Sequence, residues 1–407
     1  MGKKYHLFEV YGIELEYMLV NHDLSVAPIV DKLMMLKEGE ITSDVDNGNI
    51  AWSNELVAHV IELKTNGPTA QLNDLGQEFH KNILEINRLL QPLGTKLLGT
   101  AANPLMNPTT DTVLWKHTYS EVYNLYNAIF NCTGHGWSNV QSTHINLPFY
   151  NDEEFEKLHA AIRLVLPLIP GLCASSPILE GNITGFADTR LEYYKNNQKK
   201  IPHLTAKVIP EPIFNKDDYY KSIFNPIKKA IKPYDKDNIL EHHFLNSRGA
   251  IARFDRNAIE IRLVDIQECP KADIAICVLI IEVLKALVNN NFESLEKQKL
   301  ANTDALYAIL NATIKNGEDA VITDETYLQL FKLSDAQTIG DIWLYLYLHV
   351  KPKISPDQRA TLESILNSGT LSKRIVTSLG KDITTDRIIK VYNDLAEGLN
   401  TNELFLP

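Results

Sequence analysis

Hydrophobic and polar positions along the chain follow two rhythms. Up to about residue 265, runs rich in β-branched and aromatic residues are interleaved with helical patterns. From residue 271 onward, helical patterns dominate. Strands are expected at residues 6–20, with a glycine inside, and at 96–100 and 139–149. Residues 50–64 read as a β pair or a bent strand, stopped by the turn signal Asn66-Gly67-Pro68. A hairpin is expected at 250–264, with Arg256-Asn257 near its turn. Helices are expected at 28–37, 119–131 and 152–174, the last carrying Pro167 and Pro170 near its end. Another is expected at 69–91, where Leu72, Leu75, Phe79, Ile83, Ile86 and Leu90 recur at three and four. Residues 176–219 hold many Gly, Pro, Asn and charged positions and read as long functional loops. The pattern predicts an α+β fold, a mainly antiparallel sheet with helices on one side. A soft boundary near residues 289–291 divides a core of 1–290 from a helical C-terminal region of 291–407.

Acid placed inside the strands gives this pattern a chemistry. In Gly12-Ile13-Glu14-Leu15-Glu16-Tyr17 the two glutamates are two apart, so on a strand both point to one face, and Ile13, Leu15 and Tyr17 to the other. Neighbouring carboxylates repel unless a cation sits between them; the plainer reading is a solvent-facing sheet surface. Glu62 stands in the β-like run Val60-Ile61-Glu62-Leu63, with Glu55 seven residues earlier. An odd spacing puts these two on opposite faces of a straight strand, so they converge only if the chain bends or bulges between them. Ser142, His144 and Asn146 share a face, where the histidine is either structural or a ligand. Glu260 and Arg262 share a face as well, as a site pair or as a cross-strand ion pair.

Together these strands would bring five carboxylates and one imidazole to one sheet face, which requires cations. Oxygen donors with a single nitrogen suit two or three Mg²⁺ or Mn²⁺ ions. Arg262 could then bind a phosphoryl oxygen. That is the composition of a phosphoryl-transfer site. No GxxxxGK[ST] run is present and no GxGxxG opens a helix after a strand, so nucleotide binding must use another architecture. No Ser-His-Asp or Cys-His arrangement stands out. His135 and the pair His242-His243 are given no role.

Composition narrows the partners. The 407 residues are 44% hydrophobic and 22% charged, ample for a buried core. Lys plus Arg number 40 against 51 Asp plus Glu, a net charge of −11, which speaks against nucleic acid as partner. Cys132, Cys173, Cys269 and Cys277 form no CxxC and read as reduced thiols. The most apolar stretch, 272–288, is interrupted by Asp273, Glu282 and Lys285 and reads as a core helix, not a membrane span. The opening MGKKYHLFEVYG has no apolar run of signal-peptide length. A cytoplasmic protein acting on small molecules is expected, with homo-oligomerisation left open.

The runs YGIELEYML, NELVAHVIELKT, STHINLPF, SSPILEGNITGFADTR and AIEIRLVDIQECPKADIAICVLI resemble the glutamate–cysteine ligases and related carboxylate–amine ligases, over about residues 5–290. The resemblance implies a glutamine-synthetase-like fold: an antiparallel sheet curved into a funnel, helices on its convex side, and ATP and substrate meeting over the concave face. It implies metal ligands at Glu14, Glu16, Glu55, Glu62, His144 and Glu260, with Arg262 near the transferred phosphate. It places Arg190 near substrate or phosphates; Arg253, nine residues before Arg262, is a further nucleotide-binding candidate. The implied reaction is ATP- and Mg²⁺-dependent amide formation through an acyl phosphate, joining the γ-carboxylate of glutamate to the amine of cysteine. Residues 181–194 are the expected lid. A guanidino-type small-molecule kinase on the same fold and a non-catalytic ligand-binding relative stay open as alternatives.

Overall fold

The computed structural model describes residues 3–407. Eight strands form one open antiparallel sheet: β1 (Gly12–Asn21), β2 (Asp44–Asn47), β3 (Ile50–Asn54), β4 (Val60–Thr65), β5 (Thr95–Leu98), β6 (Ser142–Pro148), β7 (Ala250–Arg253) and β8 (Ala258–Asp265). Their order is β2-β3-β4-β1-β6-β8-β7. Strand β1 is central. It takes β4 along one side, and β6 followed by β5 along the other.

Alternation sorts the faces. Ile13, Leu15, Tyr17, Ile61, Leu63, Ile145, Leu147, Ile259 and Ile261 point into the core and are essentially inaccessible. Helices Leu75–Leu90, Asp152–Val165 and Pro270–Val288 contribute their apolar stripes to the same cluster. The Pro270–Val288 helix is buried nearly all round, as its unbroken hydrophobicity requires. Helices Ile339–Val350 and Pro356–Ser368 pack on it in turn and join the same core. No helix among the described residues is long and apolar enough to cross a membrane.

The other face changes character along β1. Glu14 and Glu16 continue, at period two, into Met18 and Val20. These two belong to a second apolar cluster with Leu371, Ile375, Ile388 and Tyr392, from helices Leu371–Leu379 and Thr385–Ala396. The last helices therefore cover one end of the acidic face and leave the rest open.

Several element ends differ from expectation for local reasons. The first strand starts at Gly12, because residues 6–9 close a turn and Phe8 has φ 60°. The helix expected from residue 69 starts at Leu75, because Thr69 is held extended by two backbone hydrogen bonds with Tyr11. The helix expected over 152–174 breaks after Val165 into a 3₁₀ turn and a short helix, Pro170–Cys173, where Pro167 and Pro170 lack the N–H a continuous helix needs.

The lid expectation for residues 181–194 is corrected in its second half. Residues 178–183 form a small hairpin, and Thr189–Tyr194 is a helix whose Thr189, Arg190, Leu191 and Tyr194 are buried. Asp188 caps that helix through the N–H of Leu191, and the backbone of Ala187 and Asp188 bonds to Lys315 and Ile314. This half of the segment is anchored to helix Thr303–Asn316 and cannot swing as a loop.

Candidate active site

Strand register assembles the acidic face. Glu16 lies directly across from Glu62, and Glu14 lies between Lys64 on one side and His144 on the other. Glu260 pairs across from Asn146. Glu16, Glu62, His144 and Glu260 are all less than a tenth exposed. His144 is the hub: its Nδ1 is 2.9 Å from Glu14 and 3.9 Å from Glu260, and its Nε2 is 3.9 Å from Glu16. Ser142 donates to Glu16 Oε2 through its backbone N–H (2.7 Å) and hydroxyl (2.9 Å). Asn146 donates to Glu14, and Ser53 to Glu62.

Glu55 sits on neither strand of its pair. β3 ends at Asn54 and β4 starts at Val60, so Glu55 stands in the connection, where the chain turns back toward the cluster. This removes the parity objection to its sharing a site with Glu62. Arg262 is placed by a β-bulge: the β8–β6 register slips between Ile261 and Val264, opposite His144. Bulges re-aim side chains in this way. Its Nε lies 3.2 Å from Glu260 Oε1, and among the described residues its terminal nitrogens make no hydrogen bond within the chain. Arg253, on β7, contacts Glu260 (3.3 Å) and Asp255 (3.0 Å).

Electrostatics mark the cluster as short of positive charge. Burial, then Glu16 and Glu62, push the Glu55 carboxyl well above the ordinary carboxylate range. Burial, then Glu14, raise Glu62. Glu14 goes the other way: burial would raise it, but its hydrogen bond and charge interaction with His144 hold it low. Ligand atoms of Glu16, Glu62 and His144 lie within 4.8 Å of one another, and so do those of Glu14, His144 and Glu260. Two triads, each of two carboxylate oxygens and the shared His144 nitrogen, fit hard divalent cations. Glu55 belongs to neither triad but borders both Glu16 and the cavities below. If these triads bind Mg²⁺, adding the ion should raise Tm and chelation should reverse the rise. Saturation to 100 Kd is worth about 2.7 kcal/mol, several degrees by scanning calorimetry. A Tm indifferent to both treatments would mean that this face holds no divalent ion.

Two cavities meet over the cluster. The larger, about 610 Å³, lies over the Gly12 end of β1 and is bordered by Lys64, Asn146, Arg253, Arg256 and Glu260. The smaller, about 270 Å³, lies toward Ser142 and is bordered by Tyr123, Tyr126, Trp137, Arg190 and Tyr194. Glu16, Glu55, His144, Phe244 and Arg262 border both.

Arg190 is buried, and its Nε pairs with Asp265 at the end of β8 (2.5 Å). Its Nη2 is buried without a partner, beside the smaller cavity. Asp265 and Asp188, both raised above the usual range chiefly by burial, flank it. The pairing of Arg190 with Asp265 was not foreseen, nor were the aromatic walls of the smaller cavity. Ser142, Asn146 and Lys64 were readable as same-face neighbours of His144 and Glu62 at period two. His135 is buried against Asn139 and Tyr193, behind the smaller cavity; Glu241, His242 and His243 lie together at the surface.

Comparison with known proteins bears on the family and the fold. An uncharacterized protein of Archaeoglobus fulgidus is 31% identical over 395 residues, 97% of this chain and all of its own length. A putative glutamate–cysteine ligase 2 of Leptothrix cholodnii is 28% identical over 185 residues, 44% of this chain and 45% of that protein. A bifunctional glutathione synthetase from Pasteurella multocida superposes with a TM-score of 0.67 at 12% identity, over 97% of this chain. This chain spans only 53% of that protein's length. A glutamate–cysteine ligase from Francisella tularensis, solved with AMP, superposes with a TM-score of 0.59 at 12% identity, over 98% of this chain and 90% of that one. At such identities the structural likeness is one of fold, the mixed fold built on a mainly antiparallel sheet. The model of glutamate–cysteine ligase family 2 matches residues 10–388, and the chain belongs to that family, whose chemistry is the ATP-dependent joining of a carboxylate to an amine.

Proposed function

We propose that this protein joins the γ-carboxylate of glutamate to the amine of cysteine, with ATP cleaved to ADP and phosphate. The supporting observation is the pair of cavities that share one wall at the carboxylate cluster and Arg262. A ligase of this kind must bring a nucleotide and an acid to one reacting centre from different directions. The larger cavity, with Lys64, Arg253 and Arg256 at its border, suits the polyphosphate of ATP. The smaller suits an amino acid, with the unpartnered Arg190 Nη2 to receive a carboxylate. The names glutamate and cysteine rest on the family and on the partial relative from Leptothrix.

In this reading Glu14, Glu16, Glu62, His144 and Glu260 would hold divalent cations, with Glu55 alongside. Bound there, Mg²⁺ or Mn²⁺ neutralises phosphate charge. Arg190 fixes the acid so that its free carboxylate oxygen meets the γ-phosphorus. The oxygen–phosphorus bond to ADP breaks as the new one forms, and Arg262 takes up charge on the moving phosphoryl group. The resulting acyl phosphate is attacked at its carbonyl carbon by the amine, which gives up a proton; the carbon–oxygen bond to phosphate breaks, the amide forms and phosphate leaves.

The test is ATP and Mg²⁺ with pairs of amino acids, read by ADP release and product mass. We expect ADP and γ-glutamylcysteine in equal amounts. ADP with a phosphorylated small molecule and no amide would replace this reading with a kinase.

A further inference from the structure

The acyl phosphate of the proposed reaction is destroyed by water, and the second half of the segment first expected to exclude water is an anchored helix in the wall of the smaller cavity. A different side chain stands over the reacting centre. Phe244 is the apolar residue that borders both cavities, alongside Glu16, Glu55, His144 and Arg262. Phe244 is 55% exposed, although its neighbours Leu245 and Asn246 are fully buried.

The ring is held in place. The Arg253 guanidinium lies over it, 4.9 Å from the centroid, and that same guanidinium contacts Glu260 of the acidic face. Tyr126, from the wall of the smaller cavity, donates to the Phe244 carbonyl at 3.4 Å. Behind it, Asn246 donates to Tyr219 and accepts from Arg248. An aromatic ring kept exposed on a pinned backbone, at the junction of two substrate cavities, is poised to be covered by what those cavities bind.

We propose that Phe244 is the water-excluding cap over the acyl phosphate, an inference that rests on the ligase reading above. Water that reaches the intermediate adds its oxygen to the acyl carbon. The carbon–oxygen bond to phosphate breaks, and the acid is regenerated with a proton released. ATP is then consumed with no amide made. An apolar ring over the centre blocks that route.

The experiment compares ADP released with amide formed, in wild-type protein and in Phe244→Ala and Phe244→Tyr, with glutamate, cysteine, ATP and Mg²⁺. Wild type should give one ADP per amide. Phe244→Ala should give several ADP per amide and release ADP with glutamate alone, at an unchanged Tm, because the ring is exposed. Phe244→Tyr should restore the wild-type ratio. A purely structural role would slow both products together, so a Phe244→Ala ratio of one overturns the cap and leaves the ligase standing. A wild-type protein that makes ADP but no amide from any pair of amino acids overturns both.

Discussion

Glu16→Gln should abolish amide formation without unfolding the protein. Glutamine keeps the shape of the side chain, and its carbonyl can still accept the bonds now made by Ser142. What disappears is one negative charge at the most crowded point of the sheet, directly across from Glu62 and close to Glu55. Like charges opposed across a ladder destabilise it. The metal-free variant should therefore melt at or above the wild-type temperature. Catalysis should fail, because an amide donates where a cation needs a carboxylate oxygen. A metal supplies several kcal/mol of charge stabilisation to the reacting phosphates. At about 1.4 kcal/mol per decade, losing it means on the order of 10³-fold in turnover or more. The variant should also show a smaller Mg²⁺-dependent rise in Tm, since Glu16 serves one of the two triads. Full turnover by Glu16→Gln at saturating Mg²⁺ would remove Glu16 from the site.

Residues of the site were legible to the extent that strand periodicity determines them. Glu14, Glu16, Glu62, His144 and Glu260 lie within strands, and alternation alone brings each to the polar face. Glu55 was not legible in this way, because it lies in the connection between two strands, where no period applies. Nor was the aim of Arg262, which depends on a bulge that spacing within one strand cannot reveal. The aromatic wall of the smaller cavity comes from Tyr123, Tyr126 and Trp137, in and around helix Ser120–Phe130, where nothing in the pattern says which rings look over a sheet. The misread lid has a similar origin. Its Gly, Asn and Thr content looks mobile, but its second half is fixed by a bond between Arg190 and Asp265, 75 positions apart. The covering of Met18 and Val20 by the last helices was not foreseen, although the acidic face turns apolar after Glu16.

Arg262→Lys should lower kcat on the order of 10²-fold, comparable to removing one transition-state donor, with little change in KM for ATP. The charge itself is secure. Burial works against it, but Tyr194, Glu260, Glu16 and Glu14 together hold the guanidinium firmly protonated. A lysine would also be charged there and could keep the contact with Glu260, so an ion-pair role alone predicts a nearly silent change. The bulge argues for more. It aims the side chain to the wall shared by both cavities, with the Nε against Glu260 and the terminal nitrogens free of partners within the described chain. A planar fork beside Glu260 at one edge, with no hydrogen bond of its own taken up, is suited to a phosphoryl group; an ammonium is a point charge and cannot reproduce that geometry. The contact should strengthen as the phosphoryl group leaves ADP, which is why the loss belongs in kcat. Steady-state kinetics over a range of ATP concentrations separate the two constants. An Arg262→Lys protein with wild-type kcat would make the residue a partner of Glu260 and nothing more. The centre of the phosphoryl transfer would then have to lie elsewhere on the acidic face, among side chains that are themselves negative and would need the cations to do all of the charge compensation.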